Sequence, residues 1–132
     1  MKAVIEKSTD GGFSVYSDEV EGSFGYGLTE EEAKKDFIEI LDEQAEFYKE
    51  RTGEYPKWYS KNGYEVDYHY DLSGFFKAFP FINATAFAKA LGINSSQMRK
   101  YKSGIVPVSD KQLRRVQAKY DTIVEQMRNV RF

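Results

Sequence analysis

The sequence predicts an α+β protein: a small β-β-β-α-β layer followed by an all-α helix-turn-helix domain. Three observations carry that expectation. Short apolar runs punctuated by glycine fill residues 2–28, and a cleanly alternating run follows residue 63. Between them, from Thr29 to Thr52, apolar residues recur at helical spacing. From Ser73 onward the pattern is wholly helical, broken at Pro80 and Pro107. Charge divides at the same place. Residues 1–72 hold 8 Lys and Arg against 18 Asp and Glu, a net charge of −10, while residues 73–132 hold 11 against 3, a net charge of +8. We therefore expect an acidic domain over 1–72 and a basic one over 73–132.

Taken in order, KAVIEKS reads as a strand, Asp10-Gly11-Gly12 as a turn and FSVYS as the second arm of a hairpin. Phe24 to Leu28 reads as a third strand, with Gly25 and Gly27 weakening it or marking a bulge. Thr29 and Glu32 have capping-box spacing, and three glutamates favour the positive end of the helix that follows. Its stripe is Ala33, Phe37, Ile40, Leu41, Gln44, Ala45 and Tyr48, ended by Gly53 and Pro56. Asn62-Gly63 reads as the turn of a second hairpin. Tyr64, Val66, Tyr68 and Tyr70 then form the buried face of a strand whose other face is Glu65, Asp67, His69 and Asp71. Helices are expected at about 73–79, 84–91, 95–103 and 110–129.

Of the 132 residues, 41% are hydrophobic and 16% aromatic, enough for a packed interior. No run approaches the ~20 apolar residues of a membrane span, and MKAVIEKSTDGG lacks the features of a secretory signal. The absence of cysteine removes disulfides, thiolate metal sites and cysteine nucleophiles. A cytoplasmic protein without cofactor is the expectation.

Residues 84–103 meet the demands of a helix-turn-helix. Ala88 is small where two helices cross, Gly92 supplies the left-handed turn, and Phe87, Leu91, Ile93, Met98 and Tyr101 anchor the pair. The exposed face of the second helix carries Ser95, Ser96, Gln97, Arg99 and Lys100, residue types that read base edges in a major groove. Lys89, Lys102, Lys111, Arg114 and Arg115 suit phosphate, giving affinity and salt dependence without sequence information. In the last helix Leu113, Val116, Tyr120, Ile123, Val124 and Met127 recur at 3-4 spacing. Part of this stripe covers the helix-turn-helix, and the remainder suits either core packing or a second copy, giving a homodimer or higher oligomer. The segment resembles the repressor-like helix-turn-helix family, whose recognition helix ends in an aromatic–Glu–Ser/Asn–Gly run. Here the run is Tyr101-Lys102-Ser103-Gly104, with lysine in the place of glutamate, and Ala84 stands where the family often has a phosphate-holding Gln.

The stretch GFSVYSDEVEGSFGYGLTEEEAKKDF resembles the N-terminal domain of HicB-type antitoxins, which has a partial ribonuclease H-like layer. Gly12, Gly22, Gly27, Thr29, Glu32 and Ala33 carry the match, and Glu21 and Leu28 depart from it. The resemblance implies an antitoxin that inhibits a small basic RNA-cleaving HicA-like toxin and represses its own operon. A basic toxin fits an acidic domain, for which Asp18, Glu19, Glu21, Glu30 and Glu31 are the candidate contacts. The alternative is a stand-alone transcriptional regulator whose N-terminal domain dimerises or senses a ligand. A nuclease reading would rest on Glu6, Asp67, Asp71 and the single His69. Asp67 and Asp71 lie roughly 13 Å apart on an extended strand, too far to share one metal unaided, so a non-enzyme is expected.

Overall fold

The computed structural model describes residues 1–60, 62–63 and 65–132. The chain is α+β and divides into two compact units, Met1–Ala78 and Phe79–Phe132.

In the first unit, β1 (Lys2–Lys7) and β2 (Phe13–Tyr16) pair antiparallel, with Lys7 opposite Phe13. The loop between them closes on itself. The Ser8 N–H donates to the Gly12 carbonyl at 2.7 Å, and the Asp10 carboxylate accepts the Gly12 N–H at 3.0 Å. β3 (Phe24–Gly27) adds antiparallel to β2. Two buried serines brace the loop between those strands: the Ser23 hydroxyl accepts the Ser17 N–H at 3.2 Å, and the Ser17 hydroxyl donates to the Lys2 carbonyl at 2.7 Å.

Helix α1 (Glu30–Thr52) starts where the sequence predicts. The Thr29 hydroxyl accepts the Glu32 N–H at 3.1 Å, but the Glu32 carboxylate reaches past Thr29 to the Leu28 N–H at 3.0 Å, which widens the expected capping box by one residue. Gly53 ends the helix at φ +83°. The fully buried stripe is Ala33, Phe37, Leu41 and Ala45, of which the first three pack with Ala3, Ile5, Val15 and Val20. It is narrower than expected, since Ile40 is half-buried and Tyr48 is exposed.

β4 (Asp67–Tyr70) lies parallel to β1, with Lys2 opposite Asp67 and Ile5 opposite Tyr70, giving the sheet order β3-β2-β1-β4. Asn62-Gly63 therefore does not close a hairpin. α1 is the crossover connection that a parallel pair requires, and Gly63, at φ +103°, turns the loop leading into β4. Tyr64 lies outside the described residues. Tyr68 and Tyr70 are half-buried, and Asp67 and His69 exposed.

Helix α2 (Leu72–Ala78) follows at once, and its Gly74 N–H is capped by the Asp71 carboxylate at 2.6 Å. It packs on β1: a Cβ at Gly74 would stand 3.2 Å from the Ile5 carbonyl. That packing moves the division of the chain from the expected 72/73 to 78/79. The units then hold 9 cations against 18 anions and 10 against 3, net −9 and +7.

The second unit comprises α3 (Ala84–Leu91), α4 (Ser95–Ser103) and α5 (Asp110–Arg128). Its core is Ala84, Ala88, Leu91, Ile93, Met98, Tyr101 and Val116. Among the described residues no helix is long and apolar enough to cross a membrane.

Candidate nucleic-acid interface

The α3–α4 turn is built by backbone hydrogen bonds that the sequence can be seen to demand. Asn83 caps α3 by accepting the Ala86 N–H at 2.9 Å. At the other end Gly92 takes φ +72°, its N–H donates to the Lys89 carbonyl at 3.2 Å, and the Ile93 N–H donates to the Ala88 carbonyl at 2.9 Å. This is a Schellman termination with its apolar residue, Ile93, buried. Asn94 immediately caps α4, accepting the Gln97 N–H at 3.1 Å. Three residues thus end one helix and begin the next, with Ala88 and Met98 fully buried between them. Gly104 repeats the device at the end of α4, at φ +75° with Ile105 donating to the Lys100 carbonyl.

Met98 and Tyr101 point inward on α4, so Ser96, Arg99, Lys100 and Lys102 stand on its exposed side, with Ser95 and Gln97 half-buried beside them. Arg99 is not directed straight outward. Its guanidinium donates to the Ser96 hydroxyl at 3.1 Å and to the Thr85 hydroxyl at 3.4 Å, which draws it toward the first turn of α3. There Asn83, Ala84, Thr85, Arg99, Lys102 and Ser103 line a shallow open depression. Lys102, one of the lining residues, thus adds positive charge beside the positive end of a helix dipole. Ala84 is a core residue. Lys89, Lys111, Arg114 and Arg115 are exposed, Arg115 donating to the Gln112 side chain at 3.2 Å. On α5 the buried share of the apolar stripe is Val116, whereas Met127 is 67% exposed.

The acidic unit treats its five candidate carboxylates differently. Glu19 accepts the Lys2 N–H at 2.5 Å, and Glu30 accepts the Tyr70 hydroxyl at 2.7 Å while pairing with Lys34 at 3.0 Å. Both are engaged in the fold. Asp18, Glu21 and Glu31 are exposed. Among the nuclease candidates, Glu6 accepts the Tyr16 hydroxyl at 3.3 Å, Asp71 is occupied at the start of α2, and Asp67 bonds His69 at 2.8 Å. Burial, with the charges of Glu6, Asp71 and Asp18, pushes the Tyr16 hydroxyl up to about 12. Among the described residues no group of three or more His, Asp or Glu is arranged to hold a metal ion.

Comparison of the chain with protein families, curated proteins and solved structures finds no match in any of the three. The geometry is therefore what bears on function. It also shows a feature without a sequence motif: Phe24, Tyr26 and Leu28 are large, apolar and exposed by 54%, 38% and 71%. Their alternation with Gly25 and Gly27 was the available signal.

Proposed function

We propose that this chain is a HicB-like antitoxin that represses its own operon: the basic unit binds operator DNA and the acidic unit neutralises a small basic RNA-cleaving protein. The observation that carries the reading is the two-helix unit, in which a three-residue turn presents α4 with its polar, basic side outward. On this reading Ser96, Gln97 and Lys100 meet base edges. Arg99, drawn to the start of α3, and Lys102, which lines the same depression, meet a phosphate together with Lys89, Lys111, Arg114 and Arg115. The second claim is supported by the −9 charge of the first unit, which attracts and speeds capture of a cationic protein.

Two measurements test the two claims separately. In a mobility-shift assay on the DNA upstream of its own gene, Gln97→Ala is expected to lose the preference for that DNA over random sequence. Lys111→Ala is expected to weaken both about equally. For the second claim, the full chain is co-expressed with the product of the adjacent short reading frame. Retention of a basic partner and relief of its growth arrest are the expected results. If operator binding holds and no partner is retained, the chain is a stand-alone regulator.

A further inference from the structure

β3 is the end strand of the sheet, and it is unusual in having one side with no side chains. A Cβ on Gly25 or Gly27 would run into the backbone of α1 at Ala33 and Phe37 or at Glu32 and Ala33. The helix therefore closes that side, and Phe24 and Tyr26 stand on the other, with Leu28 next in line. Three large apolar side chains exposed at alternate positions on a small unit point to an interaction surface.

The border of the ladder tells what fits it. The Tyr26 N–H donates to the Asp36 carboxylate at 2.8 Å, the Leu28 N–H to Glu32 at 3.0 Å, and the Tyr26 hydroxyl to Asp10 at 2.8 Å. The Gly12 N–H and the Tyr26 hydroxyl hold the Asp10 carboxyl below its ordinary range, so it is anionic at neutral pH. The ion pairs among the described residues are Lys34–Glu30, His69–Asp67 and Arg128–Glu125, so none of these three carboxylates is neutralised by a cation in that way. The amides of Tyr26 in the strand and of Leu28 just beyond it are already taken by α1, which obstructs addition of a further strand along this edge. The face remains, and arginine or lysine is the residue that both stacks on an aromatic ring and pairs with a carboxylate beside it.

We propose that the Phe24–Tyr26–Leu28 ladder, bordered by Asp10, Glu32 and Asp36, is the surface on which the small basic protein docks, through Arg and Lys side chains laid on the rings. This inference rests on the antitoxin reading and names its contact surface. The test titrates the full-length chain with the purified product of the adjacent short reading frame, by calorimetry. Phe24→Ser with Leu28→Ser is expected to raise Kd by about 30-fold or more, the loss typical of a central anchor. Asp10→Asn with Asp36→Asn keeps the accepting oxygens but removes both charges, and is expected to raise Kd about tenfold. Phe47→Ser, at another exposed aromatic, is expected to change it less than about twofold. Amide exchange of α1 confirms that each variant is folded. If both double variants bind within about threefold of the parent, the ladder is not the surface, while the antitoxin reading stands. If the parent does not bind the basic protein, both readings fall. A parent that instead self-associates, and is made monomeric by Phe24→Ser with Leu28→Ser, also overturns the proposal, because the occupant is then a second copy.

Discussion

At the scale of single residues, glycine decides how close two elements come. Gly25 and Gly27 read in the sequence as weak points of a strand or as a bulge, but neither is needed for a turn. Both lie where α1 crosses β3, and a Cβ at Gly27 would stand 2.5 Å from the Ala33 nitrogen. Real Cβ atoms do not approach backbone so closely, so the helix must lift or the strand must bend. Gly27→Ala is therefore expected to destabilise the first unit by about 1–3 kcal/mol, the range for overpacking a tight core. Gly11 is the useful contrast: a Cβ there meets nothing within 4 Å, but φ is +94°. Gly11→Ala is expected to cost about 1 kcal/mol through backbone strain alone. Urea unfolding of both variants separates the two mechanisms, and a Gly27→Ala as stable as the parent would show that α1 yields easily.

At the scale of elements, the joint between α1 and β4 shows both what was legible in the sequence and what was not. The start of α1, the Asp10-Gly11-Gly12 loop and the Gly92 turn were readable because each is specified within about six residues by capping, turn and positive-φ chemistry. The parallel pairing of β4 with β1 was not, because it joins residues more than sixty positions apart and depends on where a 23-residue helix returns the chain. Asn62-Gly63 looks the same before a parallel strand as before an antiparallel one. On the candidate interface, the exposed side of α4 followed from periodicity. The bond from Arg99 to Thr85 is set by side-chain rotamers across two helices and had no sequence signal. The α1–β4 joint itself makes a pH prediction. Burial alone would raise the Glu30 carboxyl, but the Tyr70 hydroxyl and Lys34 outweigh it and hold the group below its ordinary 4.5. A depressed carboxyl contributes stability above its unfolded pKa and loses it as pH falls through the folded one. Tyr70 moves the other way: burial, then the bond to Glu30 and its charge, raise the phenol above its ordinary 10.0, so its contribution is lost as pH rises beyond that value. The stability difference between the parent and Tyr70→Phe is therefore expected to be greatest between about pH 5 and 9 and to shrink at both ends. Chemical unfolding across pH measures it, and a difference that does not vary with pH would mean the joint holds by packing alone.

At the scale of the whole molecule, two units of net −9 and +7 set up two interactions that respond differently to salt. On the proposed reading, DNA binding neutralises phosphates with a handful of exposed cations. Each phosphate contact contributes a slope of about −0.9 in log affinity against log salt. Five such contacts lower operator affinity by roughly 500-fold between 0.1 and 0.4 M salt. On the same reading the acidic unit would attract a basic partner by the same law at long range, and over this span the Debye length falls from about 10 to about 5 Å, so capture would slow. The proposed anchors there are the exposed Phe24, Tyr26 and Leu28, and burial of apolar area is not screened by salt. The partner's Kd is therefore expected to rise only about tenfold over the same span, so that the neutralised complex outlasts the DNA complex. Fluorescence anisotropy with operator DNA and calorimetry with the basic protein read the two slopes directly. Weakening the ladder with Phe24→Ser and Leu28→Ser should leave Tyr26 and charge to hold the partner and steepen its slope toward that of DNA. Equal slopes in the parent would mean that charge alone holds both partners and that the exposed rings contribute nothing to the contact.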